Sequence, residues 1–217
     1  MKIPDWLSNH LNEKNLVEIR DAVSAAEEKT TGEIVPMVVR CSSPLGHIHG
    51  LTFFILISIF EFAYFSFSIQ LGFDYALQIQ LGLMLIAMLL SFPMAKIEWT
   101  QHFLTSKYDR AHNTLVRAEL EFHRSRIRST AAHTGVLLFV SVMERQAVIL
   151  ADEKVINKLG ADVWSGVLKI LTEGLKARNF TQGFSASISQ IGLILKDHFP
   201  AKDHANNDLP NELQIKE

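Results

Sequence analysis

The hydrophobic pattern along the chain changes period several times, and each change marks an element. Between Glu13 and Lys29, Leu16, Ile19, Val23 and Ala26 recur at helical spacing. Asn9 or Asn12 supplies an N-cap, and Thr30-Thr31-Gly32 ends the helix. The next run, Glu33 to Ser42 (EIVPMVVRCS), is rich in β-branched residues and predicts a strand. Pro36 lacks an N–H, which places this strand at a sheet edge or gives it an irregular start. One helix and one strand cannot enclose a core, so their partners must lie further along the chain.

Before those partners comes a block with almost no charge. Leu51–Ile69 (LTFFILISIFEFAYFSFSI) contains one ionisable group, Glu61, and Ala76–Ala95 (ALQIQLGLMLIAMLLSFPMA) contains none. Each approaches the ~20 apolar residues that cross a hydrocarbon layer as a helix. The short linker Gln70–Tyr75 makes them a helical hairpin with both flanks on one side. Lys96, Lys107, Arg110, Arg117, Arg124, Arg126 and Arg128 follow the second segment, whereas the linker carries only Asp74. The positive-inside rule then turns the linker outward and keeps the soluble parts and both termini cytoplasmic, at an inner membrane of bacterial type. The first 20 residues show no apolar h-region of a cleavable signal peptide. Glu61, mid-span, is either a functional group or a protonated carboxyl bonded to Gln78, Gln80 or a second subunit.

Beyond the hairpin, Glu98 to about Thr130 predicts one long helix, with Trp99, Phe103, Leu104, Tyr108, Leu115, Leu120, Phe122 and Ile127 on its buried stripe. Gly135–Val142 (GVLLFVSV) is a continuous apolar run of the kind found in inner strands. Met143-Glu144-Arg145 permits a tight turn into a second strand, Gln146–Asp152. A short helical turn follows at Glu153–Lys158. Asp162 caps a helix through Ala177, and a last helix spans Gln182–His198 before Pro200. The tail 201–217 is polar and reads as partly disordered before its Leu209–Leu213 segment.

The predicted fold class is therefore α/β: a mixed sheet flanked by helices and interrupted by a two-helix transmembrane hairpin. Residues 1–46 and 97–213 form a single domain, and residues 50–96 form the hairpin. With 21 basic and 23 acidic residues the net charge is −2, which disfavours nucleic acid as a partner. One cysteine, Cys41, excludes an internal disulfide and a multi-cysteine zinc site.

Candidate chemistry rests on carboxylates. The chain has no phosphate-binding G-x-x-x-x-G-K-[ST] loop, no G-x-G-x-x-G and no G-x-S-x-G elbow. Cys41 has no downstream arginine loop to make it a phosphatase nucleophile, and His47-x-His49 has no third ligand nearby. Asp152 and Glu153 stand where a strand meets a helix, and Asp162 follows closely in sequence. Together they are candidate oxygen ligands for Ca²⁺ or Mg²⁺. Glu33 joins them if its strand neighbours the second strand of the β-hairpin. Arg145 is a candidate phosphate contact.

Several stretches resemble the TPM domain family: Thr31-Gly32-Glu33-Ile34 after a helix, then Thr130–Asp152 with its GVLL strand and Glu-Arg turn. Gly160, Trp164, Phe180, Gly183 and Leu209-Pro210-Asn211-Glu212-Leu213 fit the bacterial branch. The hairpin between first strand and second helix resembles a membrane-bound subgroup. The resemblance implies a sheet with helices on both faces. Acid phosphatase activity and divalent-metal binding are attributed to some members, and others are accessory factors of membrane complexes. The expectation is thus an integral membrane accessory, assembly or regulatory module with a divalent-metal site. The alternative is a metal-dependent phosphatase at the cytoplasmic membrane face. The expected partners are the lipid bilayer and either a membrane protein or further copies of the chain, met through the hairpin.

Overall fold

A computed structural model describes residues 3–43, 46–71, 77–125, 127, 133–160, 162–201 and 209–217; of these, the side chains of 47, 68–71, 77, 98 and 102 are not described. The sequence expectations for linker residues 72–75 with Asp74, for Arg126 and Arg128, and for residues 202–208 of the tail fall outside this set. The chain forms two compact units, Met1–Ser42 with Arg110–Glu217, and Ser43–Asp109.

In the first unit, a short helix α1 (Asp5–Ser8) precedes α2 (Glu13–Glu27). Asn12 caps α2 in a reciprocal box: its side chain accepts from Asn15 N–H, and the Asn15 side chain accepts from Asn12 N–H. Strand β1 (Glu33–Val39) pairs in parallel with β2 (Gly135–Ser141), with Glu33 opposite Gly135. Strand β3 (Gln146–Ala151) returns antiparallel to β2, and β4 (Gln214–Lys216) adds to the other side of β1. The sheet order is β3-β2-β1-β4.

β1 is therefore an inner strand, which corrects the edge assignment drawn from Pro36. The reason lies in the alternation of its backbone. Glu33 N–H donates towards β2, to Thr134 O, while Arg40 N–H donates towards β4, to Lys216 O. Pro36, in phase with Arg40, thus faces the β4 side. β4 begins its pairing only at Met37. The proline sits on the stretch of β1 that no strand covers, where a missing donor costs nothing.

The two sheet faces carry alternate residues of each strand. Ile34, Val38, Val136, Leu138 and Val140 face a core closed by α2, by α8 (Trp164–Lys176) and by α9 (Phe180–His198). The opposite face, Val35, Met37, Val39, Leu137 and Phe139, packs on Ala118 and Phe122 of α6 (Lys107–Arg124) and on Ile127.

The long helix expected from Glu98 is instead two helices, α5 (Glu98–Leu104) and α6. Thr105 is extended, and Ser106 opens α6 by accepting from Asp109 N–H at 3.1 Å while donating to the Asp109 carboxylate. The sequence Ser-x-x-Asp was the missed signal. The break rotates the expected stripe. Trp99, Phe103, Tyr108, Leu115 and Leu120 are exposed, and α6 buries Arg110, Thr114, Ala118, Glu121 and Phe122 instead. Glu121 is neutralised there by Arg117 at 3.1 Å and by Lys216 of β4. This strand follows the Leu209–Leu213 segment, in a tail that the sequence reads only as polar.

In the second unit, α3 (Gly46–Leu71) packs along α4 (Leu77–Ala95), and α5 follows. Two windows, Ile48–Phe67 and Gln78–Ala95, are long and apolar enough to cross a membrane, with 11% and 17% of their residues buried. His47 and His49 fall in the first turn of α3. His49 packs on Phe92.

Candidate functional site

The amino-terminal ends of β1 and β2 and the carboxyl end of β3 converge because β3 is antiparallel. Asp152 directly follows β3, and its N–H donates to Gly135 O at 2.8 Å. Its Oδ1 accepts from Glu153 N–H at 3.0 Å, starting α7 (Glu153–Leu159). Asp152 is 5% exposed, and its Oδ2 has no hydrogen-bond partner. A buried carboxylate oxygen without a protein donor is left for water or a ligand to satisfy.

Asp152 lines an open cleft of about 860 Å³ together with Glu153, Lys154, Asn157 and Lys158 of α7, Thr31, His133, His198, Phe199 and Pro200. Its walls are tied together by main-chain bonds. Thr31 N–H donates to Phe199 O, Thr30 Oγ1 donates to the same carbonyl, and Thr134 Oγ1 donates to Thr31 O. Lys158 donates to His198 O and lies 4.7 Å from the centroid of the Phe199 ring. His133 holds a left-handed backbone, φ 53°, a conformation that histidine adopts more readily than most residues other than glycine.

The four carboxylates singled out in the sequence separate. Asp152 and Glu153 share the cleft. Asp162 is exposed in the turn before α8, where its carbonyl, rather than its side chain, accepts from Ser165 N–H. Glu33 lies at the start of β1, and β2 stands between it and β3. The condition on which Glu33 would join the others is not met. Among the described residues, no three His, Cys, Asp or Glu side chains gather as a metal-ligating group. Asp152 and Glu153 are the carboxylates that the cleft offers a divalent cation. One or two carboxylates suit Mg²⁺ that also holds the oxygens of a phosphate ligand.

Sequence reasoning missed Glu27. Its side chain reaches from the last turn of α2 to accept Ile34 N–H at 2.7 Å, on the β1 edge that β4 leaves open. Burial, and secondarily the charge of Glu33, push its carboxyl up to about 8 despite that hydrogen bond and one from Asn211. It also missed Glu144, which is 4% exposed in the β2–β3 turn and accepts from Cys41 Sγ, Ser42 N–H and Ser141 Oγ. Cys41 is thereby engaged in packing the turn. Arg145, the candidate phosphate contact, is exposed on that turn with φ 53°.

Residues 95–193 match the family model described as the TPM domain, taking in α6, β2, β3, the Asp152 cleft's α7 and most of α9. The chain carries a TPM domain. No curated protein matches it. Among solved structures, it is similar to the NMR structure of the BA42 protein from the psychrophilic bacterium Bizionia argentinensis, at 20% identity and a TM-score of 0.59 over 94% of each chain. At that identity the likeness concerns fold. His133, Asp152, Glu153, Lys154, Asn157 and Lys158 of the cleft lie within the matched residues, whereas Thr31, His198, Phe199 and Pro200 lie outside them.

Proposed function

We propose that this TPM-domain protein is an integral membrane accessory or assembly module, held at the cytoplasmic face by its helical hairpin. The low burial of α3 and α4 carries the reading. A soluble protein's core helix of this composition would be mostly buried, yet Phe54, Phe62, Phe65, Leu85, Leu89 and Phe92 stand exposed along the two helices. Such a large apolar surface marks an interaction with lipid or with another protein. The Lys96 and Lys107 charges after α4 support an inward-facing flank. The hairpin then meets a membrane partner or further copies of the chain, and the cleft is presented to the cytoplasm.

A second reading, a Mg²⁺-dependent phosphatase of the same orientation, is favoured by one observation: the unpartnered Asp152 Oδ2 in a cleft that also carries Lys154 and Lys158. Its Mg²⁺ would be held by Asp152 and Glu153 and would supply Lewis-acid activation of a phosphate ester.

Alkaline carbonate extraction of native membranes tests the first reading. The full chain is expected to remain in the pellet, and to be released only by detergent. Recovery in the carbonate supernatant would overturn it.

A further inference from the structure

Helix α5 is built inside out for water. Its residues Thr100 and Gln101, and Thr105 at its end, are buried at 8%, 7% and 7% exposure. Trp99 and Phe103 are 73% and 72% exposed, and Ile97 just before the helix is 52% exposed. The two aromatic side chains, one turn apart, stack with centroids 5.5 Å apart and rings inclined by 11°. On the inward face Gln101 holds α5 to the end of α4, its Nε2 donating to Ala95 O at 2.8 Å, and Thr105 Oγ1 donates back to Gln101 O. An amphipathic helix on a soluble protein turns its apolar stripe inward and its polar face to water. α5 does the reverse, and it starts three positions after the last residue of α4. Exposed Lys96 and Lys107 flank it on either side.

We propose that the Trp99–Phe103 face of α5 docks into the headgroup layer of the bilayer that the hairpin crosses, with Lys96 and Lys107 among anionic lipid phosphates. The inference rests on the membrane reading above and goes beyond it by assigning a lipid-binding surface outside the spans. Tryptophan is enriched at this depth because its ring is apolar while its indole N–H needs a polar partner. Lysines reach the same layer with their stems along the apolar surface and their ammonium groups in the polar zone. α5 is far too short to span, so the interface is the depth at which both its aromatic face and its flanking charges are solvated. Buried Gln101 fixes the angle at which the helix leaves α4, keeping the aromatic face directed away from the hairpin.

The test is fluorine NMR of the full chain labelled with fluorotryptophan in phosphatidylcholine–phosphatidylglycerol bilayers. The three tryptophans, Trp6, Trp99 and Trp164, give separate reporters. Trp99→Phe, at an exposed site, assigns its signal, and Phe62→Trp adds a reporter on an exposed face of α3. Lipids bearing a nitroxide near the headgroup should erase most of the Trp99 signal. A nitroxide at the acyl terminus should act most strongly on the Phe62→Trp signal, and a water-soluble gadolinium chelate should spare both. If the chelate erases Trp99 while acyl nitroxide reaches the Phe62→Trp position, α5 lies in water and this inference alone fails. A Trp99 signal lost chiefly to the acyl nitroxide also overturns it, placing α5 within the hydrocarbon. If neither position responds to nitroxide lipid, the membrane reading fails and takes this inference with it.

Discussion

Glu27 Oε1 accepts the Ile34 N–H at 2.7 Å and so finishes, with a side chain, the strand edge that β4 does not reach. Burial makes the ionised carboxyl costly there, although the Ile34 N–H favours that form. With a folded pKa of about 8, the folded protein binds a proton that the unfolded chain releases near pH 4.5. Stability contributed by this group is therefore full below about pH 4.5 and is lost as pH rises through about 8. Glu27→Gln keeps an oxygen for Ile34. It should flatten this part of the pH profile and raise stability at pH 8 by about 1–3 kcal/mol after screening is allowed for. Urea denaturation of the two proteins at several pH values checks this.

Glu121 ties α6 to β4 through Lys216, in a site where its own side chain is 2% exposed. Glu121→Gln removes the charge that Arg117, Arg124 and Lys216 share. A loss of about 1–3 kcal/mol is expected, below the full penalty of a buried pair because the cations reach solvent. Amide hydrogen exchange should quicken first at residues 214–216. Unchanged protection there would show that the strand is held by its backbone pairing alone.

Helices α8 and α9 approach through glycines. A Cβ on Gly174 would lie 2.5 Å from Gly183 Cα and 2.9 Å from its N, against backbone that cannot rotate away. Gly174→Ala should cost about 1–3 kcal/mol. Gly166, on the same helix, has nothing within 4 Å of an added Cβ. Gly166→Ala should gain about 0.4–1 kcal/mol by restricting the unfolded chain. Thermal unfolding of the pair separates close packing from a general effect of helical alanine.

Asp152→Asn isolates the unpartnered oxygen. Asparagine caps a helix as well as aspartate does, so α7 should persist and stability should change little. If the cleft binds Mg²⁺ with a phosphate ester, the variant should lose turnover on a phosphate-ester panel and bind Mg²⁺ about tenfold or more weakly. Equal behaviour of both proteins, with no turnover in either, would remove the phosphatase reading and leave the accessory role.

Most elements were legible because their patterns are local. The apolar runs of β2 and β3 and the uncharged hairpin helices announce themselves by period and length. The stop before Pro200 likewise ends α9, whereas the cap at Asn179 starts it two residues ahead of the expected Gln182. What failed to show depends on partners far along the chain. The three residues of β4 carry no strand signal, and they are held by Met37–Val39 of β1 and by Glu121 of α6. The buried stripe of α6 is largely polar, so a search for apolar periodicity selected the wrong face. Asp152 was found because it ends a strand, whereas its separation from Glu33 and Asp162 follows from β2 lying between β3 and β1, and from the turn before α8. Glu27 looked like one more charge on a solvated helix.

The pairing of Glu33 with Gly135 also sets an order of events during synthesis. β1 leaves the ribosome and must wait while roughly a hundred further residues are made before its parallel neighbour exists, a long closure that slows folding. Both apolar helices emerge in that interval. A nascent chain therefore carries residues 33–39, a strand buried along its whole length in the finished fold, bare through that entire interval.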